Sequence, residues 1–176
     1  MQLTIRPESP ADYPAISQLV ASAFEQVDIS DHTEHLMIER LRQSAAYIPE
    51  LAMVAEREGE LLGFILLTKI KIRKEEEVFP SLALAPVAVL PAHQGQGIGG
   101  QLIRKAHEKA RELAHHSIVL LGHADYYPRF GYQQAHTFGI RLPFEVPKEN
   151  CMLFPLQEGV MEGVSGLVEY PKAFFE

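Results

Sequence analysis

The residues best suited to chemistry lie together in Val87-Ala88-Val89-Leu90-Pro91-Ala92-His93-Gln94-Gly95-Gln96-Gly97-Ile98-Gly99-Gly100. A strand-like apolar run is followed there by a glycine-rich turn and a helical pattern. Glycines let the backbone approach a ligand with no side chain in the way. The unpaired N–H groups of a helix's first turn, reinforced by its dipole, attract an anion. A pyrophosphate is the usual occupant. A lone glycine turn would serve close helix packing equally well, but Gly95, Gly97, Gly99 and Gly100 open the helix directly, which favours the phosphate.

Gly95-x-Gly97-x-x-Gly100 also meets the dinucleotide spacing G-x-G-x-x-G. That fingerprint follows the first strand of a parallel unit and needs an acid about 20 residues on, at the end of the next strand. Here three hairpin-connected strands are expected first, the next strand ends in Gly122-His123, and Asp125 comes too late. No G-x-x-x-x-G-K-[ST] occurs, which excludes a P-loop nucleotidase. Metal chemistry is not expected: His32-x-x-His35 and His115-His116 have no carboxylate or cysteine set to complete a site, and His107-Glu108 lacks the second histidine four residues on. Tyr126 and Tyr127 read equally as core aromatics at a turn.

These residues need elements to hold them. Met1 to Arg6 alternates like a strand and is stopped by Pro7 and Pro10. From Ala11 to about Val27, Ile16, Leu19, Val20, Ala23, Phe24 and Val27 form one helical stripe capped by Asp12. Asp31 or Thr33 caps a second helix through Leu41. Leu51 to Arg57 and Leu61 to Ile72 form a hairpin about Gly59, and Val78 to Val89 reads as a central strand apolar on both sides. Pro86 cannot donate to a ladder, so a bulge and an opening in the sheet are expected beside it. A long helix from Ile98 to Leu113 leads to strand Ser117–Leu121, a parallel pair with a right-handed crossover. A helical turn is expected over Ala124 to Arg129, a strand over Tyr132 to Phe138, and another from Met152. The fold class is therefore α/β of α+β type, a mixed sheet flanked by helices.

At this point the residues resemble a family. Gln94-Gly95-Gln96-Gly97-Ile98-Gly99 is similar to the Q/R-x-x-G-x-G/A acetyl-CoA signature of the GNAT superfamily of N-acetyltransferases. Tyr127-Pro128-Arg129-Phe130-Gly131-Tyr132 is similar to its Y-x-x-x-G-F/Y segment. With Leu84 to Pro91 and the ending Gly166 to Pro171, the chain looks like a bacterial subgroup known mainly as predicted N-acetyltransferases. The resemblance implies the GNAT fold, its mostly antiparallel sheet splayed at an acetyl-CoA site. It implies that backbone groups of Val87, Ala88 and Val89 pair with the pantetheine arm as an added strand. Backbone N–H groups of Gln94, Gly95, Gln96, Gly97, Ile98 and Gly99 would hold the pyrophosphate, with Gly100 admitting close packing.

Tyr127 matches the tyrosine that acts as general acid when coenzyme A leaves; a thiol near pKa 8.5 and a phenol near 10 are close enough for proton transfer. An amine would attack the thioester directly, the oxyanion held by a backbone N–H around Val89. Cys151 lies outside both motifs. Many relatives carry an asparagine where this chain has Gly122-His123-Ala124-Asp125, so His123 becomes a second catalytic candidate, able to relay a proton near neutral pH. A non-catalytic acyl-CoA-binding or sensing module stays open as the alternative, with a dinucleotide-dependent oxidoreductase third.

Composition fits this outline. The 176 residues suggest a single domain, 1–176, with 146–176 a family-like C-terminal extension packed on it. The lone cysteine, the charged N-terminal stretch and apolar runs shorter than the roughly 20 residues of a membrane span point to the cytoplasm and away from a membrane. A formal charge of −7 argues against nucleic acid. That acidity is all N-terminal: residues 1–60 hold eleven acids and four bases, and residues 61–176 hold twelve of each. Asp28, Asp31 and Glu34 fall in the loop that the family uses for its acceptor, which suggests a cationic amine, small molecule or peptide. Solvated helix-end charges explain them equally well. A homodimer is compatible with all of this.

Overall fold

The computed structural model describes residues 2–28 and 30–176. Strand β1 (Thr4–Pro7) leads to helices α1 (Tyr13–Phe24) and α2 (Glu34–Arg42), then to β2 (Ala52–Arg57), β3 (Glu60–Lys74) and β4 (Glu77–Val89). Helix α3 (Ile98–Glu112) connects to β5 (Ser117–Leu121), and short strands β6 (Gln133–Gln134), β7 (Ile140–Arg141), β8 (Cys151–Pro155) and β9 (Gly166–Glu169) follow. The sheet runs β1-β2-β3-β4-β5-β8-β6, with β9 along the far end of β3 and β7 on β9. Its first four strands are antiparallel, β4 and β5 are parallel, and β8 returns antiparallel to β5. This is the mixed, mostly antiparallel α/β sheet expected. No helix among the described residues is long and apolar enough to cross a membrane.

Each element follows from local chemistry. In α1, Ile16, Leu19 and Val20 are buried at helical spacing. The helix begins at Tyr13, not Ala11, because Pro10–Asp12 forms a separate 3-10 turn. The Asp12 carboxylate accepts from Ser9 N–H at 2.8 Å and pairs with Arg6 at 2.8 Å. The β2–β3 hairpin turns on Glu58 and Gly59 at φ 52° and 79°, the left-handed pair that a tight hairpin needs. Two expectations shift. The helical turn falls at Tyr127–Phe130, where Pro128 starts it and Gly131 at φ 100° stops it. The strand expected over Tyr132 to Phe138 shrinks to Gln133–Gln134, because Ala135–Phe138 coils into a 3-10 turn, with Thr137 Oγ1 donating to Gln134 O at 2.6 Å.

The sheet buries both faces. Ile65, Leu67, Leu82, Leu84 and Ile118 pack against Leu102, Ile103 and Ala106 of α3. Phe64, Leu66 and Ala88 pack against Ile16, Leu19, Ile38 and Leu41 of α1 and α2. The sheet opens at β4. The register shifts between Ile65 and Leu67, so Leu66 alone faces Ala85 and Pro86, a bulge, and the Ala85–Pro86 peptide is cis. Beyond Leu82↔Ile118 and Ala83↔Val119, β4 and β5 no longer pair. The strands fork there, beside Pro86, as its missing N–H implies.

Candidate active site

A cleft of about 780 Å³ occupies the fork. Leu84 to Val87 and Val89 form one wall, Leu121, Gly122 and His123 another, and His93, Gln94, Gly95 and Gly97 to Gly100 close the end at α3. Tyr126, Tyr127, Arg129 and Phe130 cover it. The glycine turn and the tyrosine segment, separate in sequence, thus share one site.

The α3 end is built for an anion. Gly95 and Gly97 sit at φ 80° and 82°, with open space where a side chain would start. Gln101 N–H is the first to find a backbone acceptor in the helix, Gly97 O at 3.1 Å, which leaves the amides of Ile98, Gly99 and Gly100 without intrahelical partners. Arg104, one turn beyond Gly100, reaches the same cleft and lies over the Phe130 ring at 4.9 Å. Arg129 lies over Tyr126 at 4.7 Å. Both guanidiniums are additions to the sequence reading, and Arg104 was legible: position i+4 from a cleft glycine lies on the same helix face.

Along the fork, backbone direction decides which residues face a ligand. Leu90 N–H donates to Leu62 O at 2.9 Å, so Ala88, two residues back, also turns its polar groups toward β3. Val87 and Val89 turn theirs the other way, into the fork, and Gln94 Nε2 donates to Val89 O at 3.1 Å. Ala88 is therefore a correction: its backbone serves β3 and its side chain packs on the α1–α2 face. Gln96 is exposed and does not line the cleft.

Tyr127 sits deep in the cleft. Its ring meets Tyr126 edge-on at 5.0 Å and Tyr132 at 5.8 Å, and its hydroxyl has no hydrogen-bond partner among the described residues. Burial pushes it up to about 12, so it is protonated at neutral pH. Gly122 makes room for it: a Cβ there would lie 2.4 Å from Tyr127 Cε2. His123 is exposed at the cleft wall.

The acidic loop behaves differently from its charge. Asp31 accepts from Thr33 N–H at 2.9 Å and Thr33 Oγ1 at 2.7 Å, bonds that hold its carboxyl below the usual range. Glu34 is bonded by the Ser30 hydroxyl and lines a separate depression with Glu25 and His32. Asp28 is exposed, outside the cleft. Phe24 and Val27 of the same segment do line it, and no carboxylate does among the described residues. No cluster of possible metal ligands occurs among them either.

The residues present fit coenzyme A: left-handed glycines and free helix amides for a pyrophosphate, two guanidiniums beside them, and an unpaired strand edge for a chain of amides. Comparison with known proteins agrees. The model of the acetyltransferase (GNAT) domain matches residues 49–134. The uncharacterized N-acetyltransferase YjhQ of Escherichia coli (strain K12) is 34% identical over 122 residues, 69% of this chain and 67% of that protein. A GNAT family acetyltransferase from Brucella melitensis, solved in complex with acetyl-CoA, superposes with a TM-score of 0.79 at 32% identity, over 98% of each chain. The GNAT family N-acetyltransferase YhbS from Escherichia coli, solved in complex with CoA, gives 0.89 at 27% identity, covering 100% of this chain and 93% of that one. With relatives of this likeness over two thirds or more of the chain, and a cleft whose residues fit coenzyme A, the chain belongs to the GNAT family of acetyl-CoA-dependent N-acetyltransferases.

Proposed function

We propose that the chain transfers the acetyl group of acetyl-CoA to a primary amine by direct attack, within residues 1–176 acting as one domain. The observation that carries this reading is the shared cleft: the first turn of α3 with its free amides, the turned-out strand of Val87 and Val89, and Tyr127 all line one space. Residues 146–176 belong to that domain as an extension that supplies β8 beside β5 and β9 along β3. The protein works in the cytoplasm, as a monomer or homodimer, on a small-molecule or peptide amine.

Acetyl-CoA supplies an activated acyl group on a thiol leaving group. Gln94, Gly95 and Gly97 to Gly100 hold the pyrophosphate through backbone amides, assisted by Arg104 and Arg129. Val87 and Val89 hold the pantetheine amides, and Val89 N–H donates to the carbonyl oxygen as it gains charge. His123, the histidine on the β5 side of the fork, accepts the proton that the amine loses on forming its new C–N bond. Tyr127 donates to the sulfur as the C–S bond breaks. With burial at about 12, complete transfer to a thiolate of ordinary pKa near 8.5 runs uphill by about 3 to 4 units. The phenol therefore acts first as a hydrogen-bond donor and gives up its proton late. This is a wider mismatch than ordinary values suggest.

Gly122→Ala is expected to push the Tyr127 ring aside by about 1 Å and to lower kcat about 100-fold, with acetyl-CoA affinity retained; kinetics beside calorimetry checks this. Of the three loop acids, only Asp28 is without a hydrogen bond or ion pair among the described residues, and so is free to draw a cationic acceptor. Asp28→Asn is expected to raise the KM of a cationic acceptor at low salt, and Asp31→Asn to leave it unchanged. The test of the whole reading is a panel of amines, polyamines and peptides with released CoA as readout: acetyl transfer to any amine supports it, and binding without turnover across the panel counts against it.

A further inference from the structure

His107 of α3 is buried and unused by the chemistry above, with 6% of its surface exposed. Its Nε2 lies 2.9 Å from Tyr132 Oη, and its ring stacks on Phe154 at 4.1 Å and 11°. Tyr132, 3% exposed, presents its ring to Tyr127 at 5.8 Å and 77°. Phenylalanine at either position would fill the same space without burying a polar group, which carries a cost unless it is bonded. What the pair adds is direction. Apolar burial is non-directional, whereas a hydrogen bond fixes distance and angle. Tyr126 also meets the Tyr127 ring edge-on, at 5.0 Å and 83°, but its hydroxyl makes no hydrogen bond among the described residues, whereas the Tyr132 hydroxyl is held by His107.

We infer that His107 is a positioning residue for acetyl transfer: its hydrogen bond fixes Tyr132, and the Tyr132 ring fixes the plane of Tyr127 and the aim of its hydroxyl. This rests on the reading of Tyr127 as the proton donor.

Steady-state kinetics of His107→Phe, His107→Gln and Tyr132→Phe, each also combined with Tyr127→Phe, test it. His107→Phe and Tyr132→Phe are each expected to lower kcat about tenfold, a fraction of what a 1 Å misplacement costs, with KM for acetyl-CoA unchanged. His107→Gln keeps a group able to bond Tyr132 and is expected to restore most of the loss. Once Tyr127 is phenylalanine, His107→Phe should have no further effect, the coupling expected of residues acting as one unit. An equal loss with and without the Tyr127 hydroxyl overturns the proposal, as does full kcat in His107→Phe. Tyr127→Phe at full kcat would remove the proton-donor reading as well, which separates the two failures. Thermal melting identifies a variant that has not folded; Tyr132→Phe, lacking one oxygen, then decides by the same criteria.

Discussion

Tyr127→Phe is expected to lower kcat by about 100- to 1000-fold, the range of a positioned proton donor, while acetyl-CoA binds as tightly as before. The substitution keeps the ring against Tyr126 and Tyr132 and over Gly122. It removes only an oxygen with no partner among the described residues, so no buried group is orphaned and no affinity should be lost. A loss of this kind, in kcat with unchanged binding, marks an interaction made only in the transition state. Kinetics across pH adds a check: because burial pushes Tyr127 up to about 12, it stays protonated through the assay range, and any limb of the profile near neutrality belongs to another group.

Acid should destabilise the fold through His107. Burial, then the nearby charges of Arg111 and Arg104, bring it down to about 4 from 6.5. Its ring also contacts the uncharged Tyr132 and Phe154. The folded state therefore refuses a proton that the unfolded chain accepts between about pH 6.5 and 4. Stability is full above the unfolded value and falls as pH drops through that window, by about 3 kcal/mol at its lower end. Urea melts at pH 7.5 and 4.5 measure it. His107→Gln, which does not titrate, is expected to narrow the gap between the two, and an unchanged gap would show that the acid loss arises elsewhere.

What the sequence disclosed followed the physics of each residue. The glycine turn was legible because its left-handed backbone and open helix amides are features that glycine spacing reports directly. Pro86 disclosed the fork for the same reason: a missing N–H is a property of the residue. Ala88 was not legible, since its direction depends on the register with β3, where its partner Phe64 lies 24 residues back and a bulge intervenes. Among the acids of the α1–α2 segment, charge alone did not separate Asp31 and Glu34, which are held by local bonds, from Asp28, which is not. Asp31-x-Thr33 is a spacing that favours a turn in which the carboxylate caps its own backbone, and that signal was available. Phe24 and Val27 went to the core on their helical stripe, although the helix ends at Phe24 and frees both to face the cleft. His107 pairs with Tyr132 across 25 residues, a contact no local pattern encodes.

The claim on which the rest depends is that the forked cleft takes acetyl-CoA. Titration calorimetry of the intact chain with acetyl-CoA, CoA and NAD tests it most directly. One acetyl-CoA is expected to bind per chain, more weakly as salt rises and screens Arg104 and Arg129, with CoA similar and NAD giving no heat. Tight binding of NAD with no response to either CoA species would contradict it.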